Sequence, residues 1–152
     1  MTLYTLFKFL HIVGAIGWIG GIASFTLLNA RIVRESNAAV LVELTRLMRL
    51  NGMVVIGPSS GVALITGIAM ITFFGFGAPL WVIWGFVVII LSVALGATMI
   101  RRTAEQVRVL AAATTHDDSR LTVLQRQLTT LNLINLLLLL SAVWAMVAKP
   151  TL

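Results

Sequence analysis

His11, Gly14, Trp18 and Gly21 recur in one apolar run at i, i+3, i+7 and i+10, and so share one face of a helix. An imidazole inside a lipid-spanning segment is costly and by default faces a bundle interior, where it serves as ligand, proton relay or interhelical hydrogen-bonder. Trp18 falls near mid-membrane, and its indole N–H wants a polar partner there. Gly14 and Gly21 leave hollows beside the two rings, and Gly17 with Gly21 forms a GxxxG spacing for close helix approach. Lys8 stands one turn before His11 on the same face, with a stem long enough to carry its ammonium group to the outer interface. Two readings of this face stand: a pocket around His11, or packing in which the glycines close a helix contact and His11 makes one hydrogen bond.

A second pattern lies late in the chain. Gln125, Thr129, Asn132 and Asn135 repeat at i, i+4, i+7 and i+10, one face again. Amides facing lipid without partners cost several kcal/mol, so the face turns inward, to bond neighbouring helices or to line a polar cavity. Gly57-Pro58-Ser59-Ser60-Gly61 combines a GxxxG spacing with a proline. Pro58 lacks the N–H that a helix interior requires and is expected to kink it, with Ser59 or Ser60 re-satisfying the freed carbonyl. His116 sits beside Asp117 and Asp118, but no second histidine is near, and the trio reads as a solvated loop. Met48, Met53, Met70, Met99 and Met146 show no clustered spacing and read as core fillers. Nothing resembles a nucleophile–base pair, a phosphate loop or a two-carboxylate site, which argues against hydrolase and kinase chemistry.

The elements that must position these residues follow from composition. Of 152 residues, 59% are hydrophobic and 11% charged, against about 25% charged in soluble domains. Mean hydropathy is +1.03. So few charges cannot coat a water-soluble globule of this size, and the apolar surface must face lipid. Four apolar stretches, about 3–30, 52–76, 80–100 and 121–148, each suffice for the roughly 20 residues that cross a bilayer as a helix. Lipid offers no partner for free backbone groups, which selects helices, and the alternation of a barrel strand is absent. The expected fold is all-α: one integral membrane domain over 1–152, a transmembrane four-helix bundle. The stretch 31–51 is amphipathic and reads as an interfacial segment between helices one and two, or as a cytoplasmic extension of helix two. Ser36 or Asn37 could cap its start. Asp117, Asp118 and Ser119 suit the positive end of helix four. Zero cysteines exclude a disulfide scaffold and a thiolate metal cage.

Cations orient the spans. Arg31, Arg34, Arg46 and Arg49 occupy one polar connection and Arg101, Arg102, Arg108 and Arg120 the other, with Arg126 in the opening turns of helix four. Lys8 and Lys149 lie toward the opposite side. Arginine-rich short loops stay cytoplasmic, so both termini are expected outside. Tyr4, Trp81, Trp84 and Trp144 fall near the outer ends, where amphipathic rings favour the headgroup layer. The arginines flank spans instead of forming one stripe, which argues against nucleic acid as partner. Met1-Thr2-Leu3 is uncharged and the run after it is too long for a cleavable signal, so helix one is expected to be retained.

The run Phe7-Lys8-Phe9-Leu10-His11-Ile12-Val13-Gly14-Ala15-Ile16-Gly17-Trp18-Ile19-Gly20-Gly21 resembles the opening helix of CopD-like copper-resistance and HemJ-like protoporphyrinogen oxidase proteins. Gly57-Pro58-Ser59-Ser60-Gly61 through Thr66-Gly67 narrows the likeness to an uncharacterised bacterial family of small four-helix membrane proteins. The resemblance covers mainly the first half of the chain. It implies the bacterial plasma membrane, and, through the HemJ-like group, haem associated with a helix-one histidine, which maps to His11. Through the CopD-like group it implies copper uptake. The chain departs from both patterns: one intramembrane histidine precludes bis-histidine haem within a protomer, and clustered methionines or histidines for copper are missing.

Three functions remain in view. The first is a redox protein with haem b in a pocket formed by His11 as iron ligand, Trp18 and Gly14 as walls and Lys8 toward a propionate, since a lone proximal histidine is an established haem arrangement. The second is a non-catalytic accessory subunit, self-associating as a homodimer or docked on other membrane subunits through its small-residue faces. The third is a transporter for a small solute or copper, using His11, the helix-four amides and the Pro58 break.

Overall fold

A computed structural model describes residues 2–32, 38–75, 79–112 and 118–149. Every element among them is helical. Helix α1 spans Leu3–Ile32 and begins where Thr2 Oγ1 accepts the Thr5 amide at 3.4 Å, a capping contact that satisfies an orphan N–H. Helix α2, Ala38–Leu50, runs through a wide π-helical turn at Asn51–Ile56 into α3, Gly57–Phe74. The backbone at Leu50 and Ile56 stays in the right-handed helical region, so the amphipathic segment runs without a break into the second span. The third span has the same construction: α4 at Leu80–Leu95, a π-helical turn at Gly96–Ile100, and α5 at Arg101–Ala112. Helix α6 covers Asp118–Ala148. Four stretches, Leu3–Arg31, Arg46–Phe74, Leu80–Leu110 and Ser119–Ala148, are long and apolar enough to cross a membrane.

Helix α3 stops at Gly75, whose φ of 64° closes a left-handed cap with its N–H on the Ile71 carbonyl, a conformation that glycine adopts without steric cost. Pro79 opens α4, its carbonyl accepting from Val82 N–H at 2.9 Å, and its fixed φ suits a helix start. Ser36, Asn37, His116 and Asp117 lie outside the described residues.

The bundle is two antiparallel pairs, α1 with α3 and α4 with α6, joined by packing of α1 on α6. Helices α3 and α4 barely touch, although the chain passes directly from one to the other. One core cluster, Trp18, Ile22, Ala63, Val88, Leu139 and Ala142, ties all four spans together at mid-height. A second, Met48, Val107 and Leu128, joins α2, α5 and α6 at the end that carries the arginines. Arg31, Arg46, Arg49, Arg101, Arg102, Arg108, Arg120 and Arg126 are all exposed there. At the opposite, hairpin end the ring of Tyr4 meets Phe74 edge-on at 5.3 Å. Outward-facing apolar side chains such as Leu27, Ile65, Phe73 and Ile90 cover the flanks, as a lipid-facing surface requires.

Candidate functional site

Helix α1 lies against α3 because its glycines let the backbones meet. A Cβ on Gly14 would stand 2.8 Å from the Ala63 nitrogen and 2.9 Å from the Ser59 oxygen, and one on Gly17 would collide with the Ser59 hydroxyl. A Cβ on Gly21 would stand 2.6 Å from Ile56. The GxxxG expected on the partner helix works differently: Gly61 faces open space and Gly57 meets only the Gly52 carbonyl of its own helix. The glycines of α1 thus receive Ser59 and Ala63, whereas Gly57 and Gly61 of α3 take no part in the contact.

That close crossing sets the histidine. His11 Nδ1 lies 2.8 Å from the Ala63 carbonyl oxygen, with Thr66 Oγ1 at 3.3 Å. A carbonyl can only accept, so Nδ1 carries the proton; the Thr66 hydroxyl is spent on Val62 O at 2.6 Å. Gly67 makes room for the ring, since a Cβ there would stand 3.2 Å from His11 Cε1. With the Nδ1–Cε1 edge seated on α3, Nε2 has no hydrogen-bond partner among the described residues. In the neutral ring it offers a lone pair, and a backbone carbonyl on Nδ1 is the arrangement that orients ligating histidines.

The ring lines a cleft of about 570 Å³ between the two helix pairs in the hairpin-end half. Ala15 and Ile19 of α1, Leu64 and Gly67 of α3, Gly85 and Phe86 of α4, and Met146 of α6 form its apolar walls. Lys8, Lys149, Tyr4 and Trp81 line it toward the hairpin end. A small adjoining space of about 50 Å³ lies between His11 and Trp18. Trp18 is buried, but its indole N–H makes no hydrogen bond among the described residues, so it serves as packing. Of the residues expected around a pocket, the structure gathers His11, Lys8 and Trp18 at these two spaces and puts Gly14 in the helix crossing instead.

The amide face of α6 does turn inward: Gln125, Asn132 and Asn135 are buried and Thr129 is half-buried. It holds helices together instead of lining a large cavity with His11. Asn29 Nδ2 donates to Gln125 O at 3.0 Å and to Thr129 Oγ1 at 2.8 Å, Ser92 donates to Asn135 Oδ1, and Asn132 Nδ2 bonds Leu128 O of its own helix. The amides stop at Asn135. Trp18, Val88 and Leu139 pack together between them and the histidine cleft. Sequence reasoning passed over Asn29 and Asn51, whose Nδ2 bonds Gly21 O at 2.7 Å. Asn29 was findable, since it lies seven and eleven residues along from Ile22 and Trp18 on the face that carries His11.

Pro58 sits in the first turn of α3, directly after the π-helical turn. The Gly57 N–H reaches back to Gly52 O, one residue further than in an α-helix. The widened turn directly precedes this residue without a donor, and the third span carries the same kind of turn at Gly96–Ile100 without a proline. Ser60 Oγ donates to Gly57 O at 2.8 Å, so it does not rescue the Val54 carbonyl that Pro58 leaves free. No group of three or more metal-binding side chains occurs among the described residues.

A family model described as "Predicted integral membrane protein (DUF2269)" matches residues 5–150. No curated protein and no solved structure matches the chain.

Proposed function

The chain belongs to the DUF2269 family of predicted integral membrane proteins, and from that premise we propose that it is a haem-associated or redox membrane protein using His11. The observation that carries the reading is the committed Nδ1 of His11 and its unpartnered Nε2 on the wall of a large apolar cleft with two ammonium groups lining it. The residues fit haem b: His11 Nε2 would hold the iron, the apolar walls would shield the ring, and Lys8 and Lys149 would neutralise its acid groups. Haem, when bound, supplies one-electron chemistry whose potential follows its axial ligand and burial. The protein's own part is to fix the imidazole through Ala63, exclude water with apolar walls and neutralise the acid groups. The likeness of the helix-one run to HemJ-like proteins supports the same choice.

The alternative of a solute pathway is weakened by the packed layer of Trp18, Val88 and Leu139, which separates the α6 amides from the cleft. The arginine end is read as cytoplasmic and the termini as outside, on the bias of short basic connections toward the cytoplasm; a reporter fused at the C-terminus and active only in the cytosol overturns that orientation. The test of the function is an absorption spectrum of detergent-purified protein. A Soret band lost in His11→Ala supports it, and no band, or one unchanged in that variant, overturns it.

A further inference from the structure

We propose that the occupant of the cleft is a membrane-dissolved amphipathic acid that enters sideways from the lipid, through the seam between α3 and α4. The inference rests on the reading of the cleft as a ligand site and adds the class of ligand and its route.

The seam is the first observation. Spans joined by a short connection ordinarily pack side by side, yet α3 packs on α1, α4 packs on α6, and the two make almost no direct contact. The second is the size of the space. Protein interiors hold few voids larger than a water molecule, and about 570 Å³ with mainly apolar walls is neither small enough to stay empty nor polar enough to hold ordered water. In a bilayer something with an apolar body fills it. The third is where the walls lead. Ile68 of α3 lines the cleft and is 42% exposed, and Ile16 of α1 and Val147 of α6 line it while more exposed still, so the cleft meets the surface on its α1–α6 side as well. But α1 packs on α6, which leaves the α3–α4 side as the one that helix packing does not close. An apolar body arriving along the seam meets Ile68 and Phe86; one arriving from water meets the ammonium groups of Lys8 and Lys149 first. The fourth is charge. A plain hydrocarbon leaves both ammonium groups unused and a small hydrophilic anion leaves the walls bare, whereas an acid with an apolar body satisfies both. A porphyrin carrying propionates and a fatty acid share that chemistry.

The chain has no cysteine, so a tether can be placed without background. Ile68→Cys with Phe86→Cys, joined by a bifunctional maleimide in proteoliposomes, bridges the seam. Met48→Cys with Val107→Cys joins α2 and α5 within the packed cluster at the arginine end and serves as control. Two probes are dissolved in the vesicle lipid: haemin, read by its Soret band, and a brominated fatty acid, read by quenching of the two indoles beside the cleft, Trp18 and Trp81, in a Trp84→Phe, Trp144→Phe background. The seam tether is expected to slow entry of both by about tenfold or more, as for binding that must wait on an opening. Protein loaded with haemin before tethering should keep its band, which shows that the tether leaves the fold intact. Entry at an unchanged rate through a tethered seam overturns the inference. Fatty acid entering by the seam while haemin is ignored sinks the haem reading and leaves the route and ligand class standing. Neither probe entering the untethered protein overturns both.

Discussion

The proton on His11 Nδ1 is shared across the α1–α3 crossing with the backbone carbonyl of Ala63, 2.8 Å away. Because the acceptor belongs to the main chain, no side-chain change at position 63 removes it, and the bond can be lost only from the histidine. His11→Ala should therefore do two separable things. It should lower unfolding free energy in mixed micelles by about 1 kcal/mol, in the range measured for hydrogen bonds between membrane helices. It should also abolish the Soret band of the purified protein. Stability falling while the spectrum stays constant would reduce His11 to interhelical glue.

Gly14 is the position where the bundle tolerates no side chain. A methyl there meets backbone atoms of Ala63 and Ser59 below 3.0 Å, and backbone cannot rotate away as a flexible side chain can. Gly14→Ala is expected to cost about 1–3 kcal/mol by overpacking, read as unfolding free energy in micelles. Gly20→Ala and Gly61→Ala, which meet nothing within 4 Å, should be neutral or slightly stabilising, because alanine is the better helix former. Equal losses at all three positions would contradict this account of the crossing.

Asn29 carries the tie between α1 and α6. Its orientation is forced: Gln125 O can only accept, and Thr129 Oγ1 spends its proton on that same carbonyl at 2.9 Å, so both face the Asn29 NH₂ group. Asn29 Oδ1 is left buried without a partner among the described residues. Truncation removes a good bond together with an unsatisfied acceptor, so the two effects partly offset. A double-mutant cycle of Asn29→Ala with Thr129→Ala should give a coupling of about 0.6 kcal/mol, near the mean for polar pairs in membrane bundles. A coupling indistinguishable from zero would show that the pair is not formed in the micelle-bound protein.

These cases show what the residue pattern alone could reveal. Periodicity placed the four spans and turned Gln125, Asn132 and Asn135 inward, because the penalty for amides in lipid leaves them nowhere else to go. Spacing also identified the glycine face of α1. It could not reveal which partner the glycines receive, since Gly57 and Gly61 present the same GxxxG signature and yet make no such contact. A pocket beside His11 is legible in the spacing, but its opening between α3 and α4 is not: those helices fail to pack, and an absent contact leaves no period in the chain. Nothing in the spacing singles out Asn51, because its bond to Gly21 O depends on the register set by the π-helical turn.

That register makes Pro58 the last test. By helix propensity alone, replacing an interior proline by alanine should gain about 3 kcal/mol. Here the turn before Pro58 is widened, and its residues do work in that geometry: Val55 and Ile56 pack on Gly21 while Asn51 bonds its carbonyl. Restoring an α-helical hydrogen bond from residue 58 to Val54 O would rewind the turn and rotate Asn51 and Val55 off α1. Pro58→Ala is therefore expected to gain less than about 1 kcal/mol, since lost interhelical contacts offset the propensity term. The new amide at position 58 should exchange quickly with solvent deuterium if the wide turn persists. A gain close to the full propensity value, with a slowly exchanging amide at 58, would show that the proline alone imposes the wide turn and that α1 packing does not hold it.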